Sequence, residues 1–282
     1  MSQADVSTPA PVPVPPATSG SEVDSTSSGM PPGEAGVARP SGRTWTIVIA
    51  GGLLAGLGGF GCGEYARWLF APSLELPPAF RNQERGPAEV ARRLRVSEHQ
   101  IATATSGALW ALLGLALGAA GGLARRSATA AIRAALVGLI LAAAAGATAS
   151  YLLVPWYRAT SAPPSDDNAT REFCRSLATH GGIWMAAGAA AGLALGLGLG
   201  GGRVPQAMIG GILAAALAAV IYQLGAEVLF PQDKTLEPIA TAPGPRLLAH
   251  LAVALCVAAG TLWAADYLSL HHSSPKAQSR MV

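Results

Sequence analysis

Six long uncharged runs constrain this chain more than any other feature. They are Thr44–Gly63, Gln100–Ala124, Ala134–Tyr157, Ser176–Gly202, Val204–Ala226 and Leu247–Ala265, each of 19 to 27 residues. A helix of roughly 20 apolar residues crosses a hydrocarbon core of about 30 Å. A surface helix of a soluble domain would carry a polar stripe at helical spacing, and these runs have none. Only 12% of the residues are charged, too few to clothe six such helices in a water-soluble shell. The expected fold is therefore all-α: an integral membrane six-helix bundle with helices near 44–70, 98–124, 129–157, 168–202, 204–230 and 246–270.

Residues 1–43 are rich in Ser, Pro, Thr and Gly, a composition that buries too little apolar surface to offset the entropy of ordering. They are read as a disordered tail, and 271–282 as a short polar tail. The few basic residues are unevenly spread. Arg39 and Arg43, the Arg125/Arg126/Arg133 group, Arg203, and Lys276 with Arg280 flank the runs on one side with almost no opposing acid. Such segments stay in the cytoplasm, so both termini are expected there. The formal charge of +3, with 17 Arg and 2 Lys, is spent at helix ends and does not form a nucleic-acid patch. The Arg, Ala and Gly bias looks like GC-rich coding and points to a bacterial cytoplasmic membrane.

Local signals place the helix ends. Ser97 with Gln100 forms a capping-box pattern for the second helix, preceded by a short helix from Gly86-Pro87 to Arg95. Asp166 or Asp167 suits the start of the fourth. Pro245 fits the first turn of the sixth. Pro72, Pro155 and Pro231 are expected just past the ends of the odd helices.

The chain reads as one helical hairpin written three times. Gly51-Gly52-Leu53, Val137-Gly138-Leu139 and Gly210-Gly211-Ile212 open comparable stretches of the odd helices. Ser106-Gly107-Ala108-Leu109-Trp110 aligns with His180-Gly181-Gly182-Ile183-Trp184, and His250 begins the third copy. Parallel repeats of this kind occur in some transporters, although Ala/Gly/Leu-rich helices also resemble one another by composition. Small residues recur every fourth position: Gly51/Ala55/Gly59/Gly63, Gly114/Gly118/Gly122, Gly138/Ala142/Gly146, Gly188/Gly192/Gly196/Gly200 and Ala252/Cys256/Gly260/Ala264. That spacing makes a smooth face on which helix backbones approach closely.

Superposing the repeats brings Glu64, Ser150 and Gln223 to one position of the odd helices, and Ser106, His180 and His250 to one position of the even helices. All six should lie near the outer interface, as a polar cluster able to hold a proton or ligand. The plainer alternative weighs more in the sequence. Glu64 then sits at headgroup level paired with Arg67 three residues on, and the histidines face water from the first turns of their helices. Cys62 and Cys174 fall on the same side, where a disulfide is conceivable in an oxidising compartment. No nucleotide loop, metal-ligand spacing or complete catalytic constellation is present, so catalytic, cofactor and metal sites are all expected to be none.

Two functions are open at this point. The first is a non-enzymatic structural or partner-binding membrane subunit, associating with the lipid bilayer and with protein partners or a second copy through its small-residue faces. The alternative is a small-solute transporter or channel built from three parallel hairpins.

Overall fold

The computed structural model describes residues 42–72, 86–160, 169–233 and 235–272. Within them the regular secondary structure is all helical: α1 Gly42–Leu69, α2 Gly86–Ala124, α3 Ala128–Ala159, α4 Ala169–Gly198, α5 Val204–Leu229 and α6 Pro243–His272. All six are long and apolar enough to span a membrane. The expected tail over 1–43 lies almost wholly outside the described residues, with only its last two in α1. So do Asp166, Asp167 and most of 271–282.

Three local expectations are corrected. Ser97 does not begin a helix: α2 is one element of 39 residues, continuous from Gly86. Neither Gly nor Pro interrupts 88–106, and Glu89 binds both Arg92 and Arg93 one turn on, pairs that favour helix. The Ser97 hydroxyl instead donates to the Phe70 carbonyl just past the end of α1. Pro155 lies inside α3; the helix continues one turn beyond it and ends as Thr160 N–H and Oγ1 both bind the Trp156 carbonyl. The fourth helix stops at Gly198 and not at 202, because Gly200 and Gly201 take φ of +115° and +83°, a conformation that side chains resist. At the same end of the bundle, where Gly200 meets the Arg125 side chain, Ser127 caps α3 by accepting from Ala130 N–H.

The helices form a ring in chain order, α6 closing against α1, with α2 and α4 also packed on each other inside it. The even helices are the more buried set. Trp110, Leu113 and Leu117 of α2, Leu195 of α4, and Val253, Val257 and Leu262 of α6 are fully enclosed. The odd helices turn large apolar side chains such as Leu54, Ile140 and Leu213 outward, as lipid-facing surfaces do.

The four-residue stripes mark the seams. A Cβ on Gly188 would stand 2.6 Å from the Gly211 carbonyl oxygen, and Gly114 and Gly138 face each other's carbonyls in the same way. At the third seam Gly52 meets Ala258, with 2.8 Å between its would-be Cβ and that of the alanine. Gly114, Gly188 and Ala258 each lie eight residues after Ser106, His180 and His250. The same pair of aligned positions thus meets at all three seams. The Cys62 and Cys174 thiols are both free and exposed.

Candidate functional site

At the end of the bundle where each odd helix hands over to the next even one, the helices splay around a cavity of about 80 Å³, room for a few water molecules. Its walls are Phe60, Glu64 and Arg67 of α1, the 101–110 stretch of α2, Ser150 of α3, His180 and Trp184 of α4, Tyr222 of α5, and Arg246 and His250 of α6. Pro238, Ile239 and Ala240 from the α5–α6 connection cover it.

Glycines admit the bulky members. Gly59 receives Leu109, Gly63 receives Thr105, and Gly146 receives the Trp110 indole. Trp184 and Tyr222 stand 5.7 Å apart between ring centroids and both flank His180, at 5.6 and 5.4 Å. Phe60 meets His250 edge-on at 6.2 Å. The interior is thus an aromatic chamber with a few polar groups.

The strongest electrostatic feature joins the first and last helices. Arg246 Nε and Nη2 reach Glu64 Oε1 at 2.8 and 2.7 Å. Its Nη1 donates to the carbonyls of Ala240, at 2.9 Å, and Thr241. One guanidinium therefore closes the ring between α1 and α6 and fastens the covering connection. Tyr157 adds a second fastening, its hydroxyl donating to the Leu236 carbonyl at 3.0 Å. The Tyr157 ring carries Arg175 over its face, 4.6 Å from the centroid, a cation–π contact.

Five of the six aligned polar positions, Glu64, Ser106, Ser150, His180 and His250, line this cavity. Gln223 does not. It is fully buried and donates through Nε2 to Ser176 Oγ, which lies 3.3 Å from His180 Nδ1. Gln223 therefore supports His180 from behind. Ser106 spends its hydroxyl on the Gly146 carbonyl at 3.0 Å, joining α2 to α3. His250 Nδ1 is 2.7 Å from the Arg246 carbonyl. A carbonyl only accepts, so Nδ1 carries the proton, and Nε2 of the neutral ring is left as an acceptor.

Two expectations change. The Glu64 carboxylate is bound by Arg246, 182 residues away, and not by Arg67. The histidines do not face water: His180 and His250 are 5% and 8% exposed, about three and two turns into their helices, beside the α5–α6 connection that covers the cavity. Sequence reasoning did not place Arg246, Tyr222 or that connection at the site. Trp110 and Trp184 were visible as aligned residues one turn after Ser106 and His180, a spacing that puts them on the same helix face. Arg246 stands one turn before His250 and could have been found the same way.

A second, larger cavity of about 560 Å³ adjoins the first and shares Arg67, Ile101, Pro238 and Ile239 with it. Its mouth carries Arg95, Arg158, Glu98 and Glu237, with Arg158 and Glu98 ion-paired. No group of three or more His, Cys, Asp or Glu that could hold a metal occurs among the described residues. No protein-family model, curated protein or solved structure matches the chain.

Proposed function

We propose that this is a non-enzymatic membrane protein of transporter type that binds a small solute in the chamber between its three hairpins. The chamber carries this reading: aligned positions from all three hairpins border or support it, and a vestibule leads to it. A purely structural subunit has no need of an aromatic chamber with unpartnered polar atoms inside a six-helix ring. In this reading the three hairpins are true repeats, supported by the recurrence of aligned pairs at the three seams. The termini lie in the cytoplasm of a bacterial cell, supported by the Arg distribution, and the vestibule opens outward.

Beyond the chamber the bundle closes. Leu113, Leu117, Ala187 and Ala191 are fully buried there, and Gly121 packs on Leu195 and Gly198. An open channel is disfavoured by that closure, and passage of a solute requires the hairpins to rock against one another.

The test is a single cysteine at Ala249, a chamber-lining position, in a chain whose Cys62, Cys174 and Cys256 are replaced. A small membrane-impermeant thiol reagent should label it from the vestibule side of sealed vesicles and not from the other. Labelling from neither side of the folded protein would sink the solute reading. Equal labelling from both sides would replace the transporter with a channel.

A further inference from the structure

We infer that the solute is a small carboxylate, drawn in by Arg67 at the junction of the two cavities; this rests on the solute-binding reading above. Around the joined cavities four guanidiniums, Arg67, Arg95, Arg158 and Arg246, face three carboxylates, Glu64, Glu98 and Glu237. Glu64 is held by Arg246 and Glu98 by Arg158. Arg67 and Arg95 make no hydrogen bond or ion pair with any described residue. Arg67 is half-buried and borders both cavities. Its charge is opposed by that of Arg246 and partly offset by that of Glu64, which Arg246 itself binds. Two guanidiniums that share one carboxylate at a site with low-dielectric walls leave an excess positive charge, which an anion relieves. A guanidinium presents a flat pair of donors that matches a carboxylate.

Apart from Arg67 at its edge, the only charges lining the chamber are the Glu64–Arg246 pair, which satisfies itself. In the chamber walls Trp110 Nε1, Thr105 Oγ1 and His250 Nε2 are buried without a hydrogen-bond partner among the described residues. A solute that reaches them requires small side-chain movements, after which Trp110 and Thr105 donate and His250 Nε2 accepts. A cation would meet the Arg67 charge first, and the only carboxylate in the chamber is already engaged. A volume of about 80 Å³ excludes a phospholipid headgroup with its chains and admits a solute of two to three heavy carbon atoms with its oxygens.

Acetate and acetamide share shape and differ in charge, so they separate an anion site from a merely polar one. The full chain in detergent is heated in sodium chloride, with acetate replacing chloride at constant ionic strength. Acetate should raise the unfolding temperature saturably, and acetamide should not. Arg67→Gln should weaken the apparent acetate affinity at least tenfold, and Arg67→Lys should restore part of it. Should Arg67→Gln fail to fold, Arg67→Lys and Arg95→Gln carry the comparison, each with a smaller loss. Equal effects of acetate and acetamide, or wild-type acetate affinity in the folded arginine variants, overturn the inference. Stabilisation by added phosphatidylglycerol with none by acetate also overturns it and assigns the arginines to a lipid headgroup. Any of these results is independent of the Ala249→Cys labelling, so the chamber can stand while the carboxylate falls.

Discussion

Replacing Gly188 by Ala adds one methyl group where α4 crosses α5. That carbon would lie 2.6 Å from the Gly211 carbonyl oxygen and 3.0 Å from the Ala215 Cβ. Carbon–oxygen contacts settle at about 3.3 Å or more, so the helices must part by about 0.7 Å at this crossing. A gap of that order forfeits about a quarter to a half of the dispersion attraction of the contacts it opens. The seam has little else to hold it, since apolar side chains gain nothing by leaving lipid for protein. Overpacking of this kind costs about 1–3 kcal/mol. Alanine returns about 0.5–1 kcal/mol through its better helix propensity, leaving a net loss of about 1 kcal/mol at the middle of both ranges and about 2.5 kcal/mol at most. Gly61 is the control, because a Cβ there meets nothing within 4 Å; Gly61→Ala should gain about 0.5 kcal/mol from propensity alone. Reversible unfolding in mixed detergent micelles, titrated with a denaturing detergent, measures both. A Gly188→Ala protein as stable as wild type, or a Gly61→Ala protein as damaged as Gly188→Ala, would refute the view that direct backbone approach holds this seam.

Other perturbations address the chamber. Arg246→Gln should destabilise the protein by about 2–4 kcal/mol, since it strands a carboxylate and frees two carbonyls of the connection. Glu64→Gln combined with it should cost less than the sum of the two single changes, read from the same unfolding titration. Tyr157→Phe removes the hydroxyl bound to Leu236; amide exchange at 235–241 should quicken, while exchange in the α4–α5 seam stays unchanged. Gly146→Ala should displace the Trp110 indole, which packs against that glycine, and shift tryptophan emission without loss of helix content by circular dichroism.

The crossings were legible because a membrane span is a property of one continuous segment. Residues 204–226 announce α5 without reference to any neighbour. The packing faces were legible for a related reason: Gly188, Gly192 and Gly196 leave one face bare whatever lies opposite. What the sequence could not supply were pairings between distant segments. Glu64 had an arginine three residues away in Arg67, and local spacing favoured that partner. The observed one comes from α6, because ring closure brings the first turn of α6 beside the last turns of α1. Ser97 misled in the same way. Its capping pattern is real as a sequence, but a favourable helical stretch on both sides overrode it, and the hydroxyl was used to tie down α1. The superposition of hairpins reached the right neighbourhood for five polar residues. It missed the α5–α6 connection, which has no counterpart among the described parts of the other two hairpins.

The unbroken course of α2 has a consequence for how force passes through the molecule. Its 39 residues extend for about 58 Å at about 1.5 Å each, nearly twice the thickness of a hydrocarbon core of about 30 Å. No glycine or proline lies between Pro87 and Gly107 to act as a joint. That stretch is a stiff strut, held to α1 at Ser97–Phe70 and at Gly63–Thr105 and to α3 at Glu98–Arg158. One rigid element thereby connects the Arg92 and Arg93 end of α2 with the Trp110 wall of the chamber.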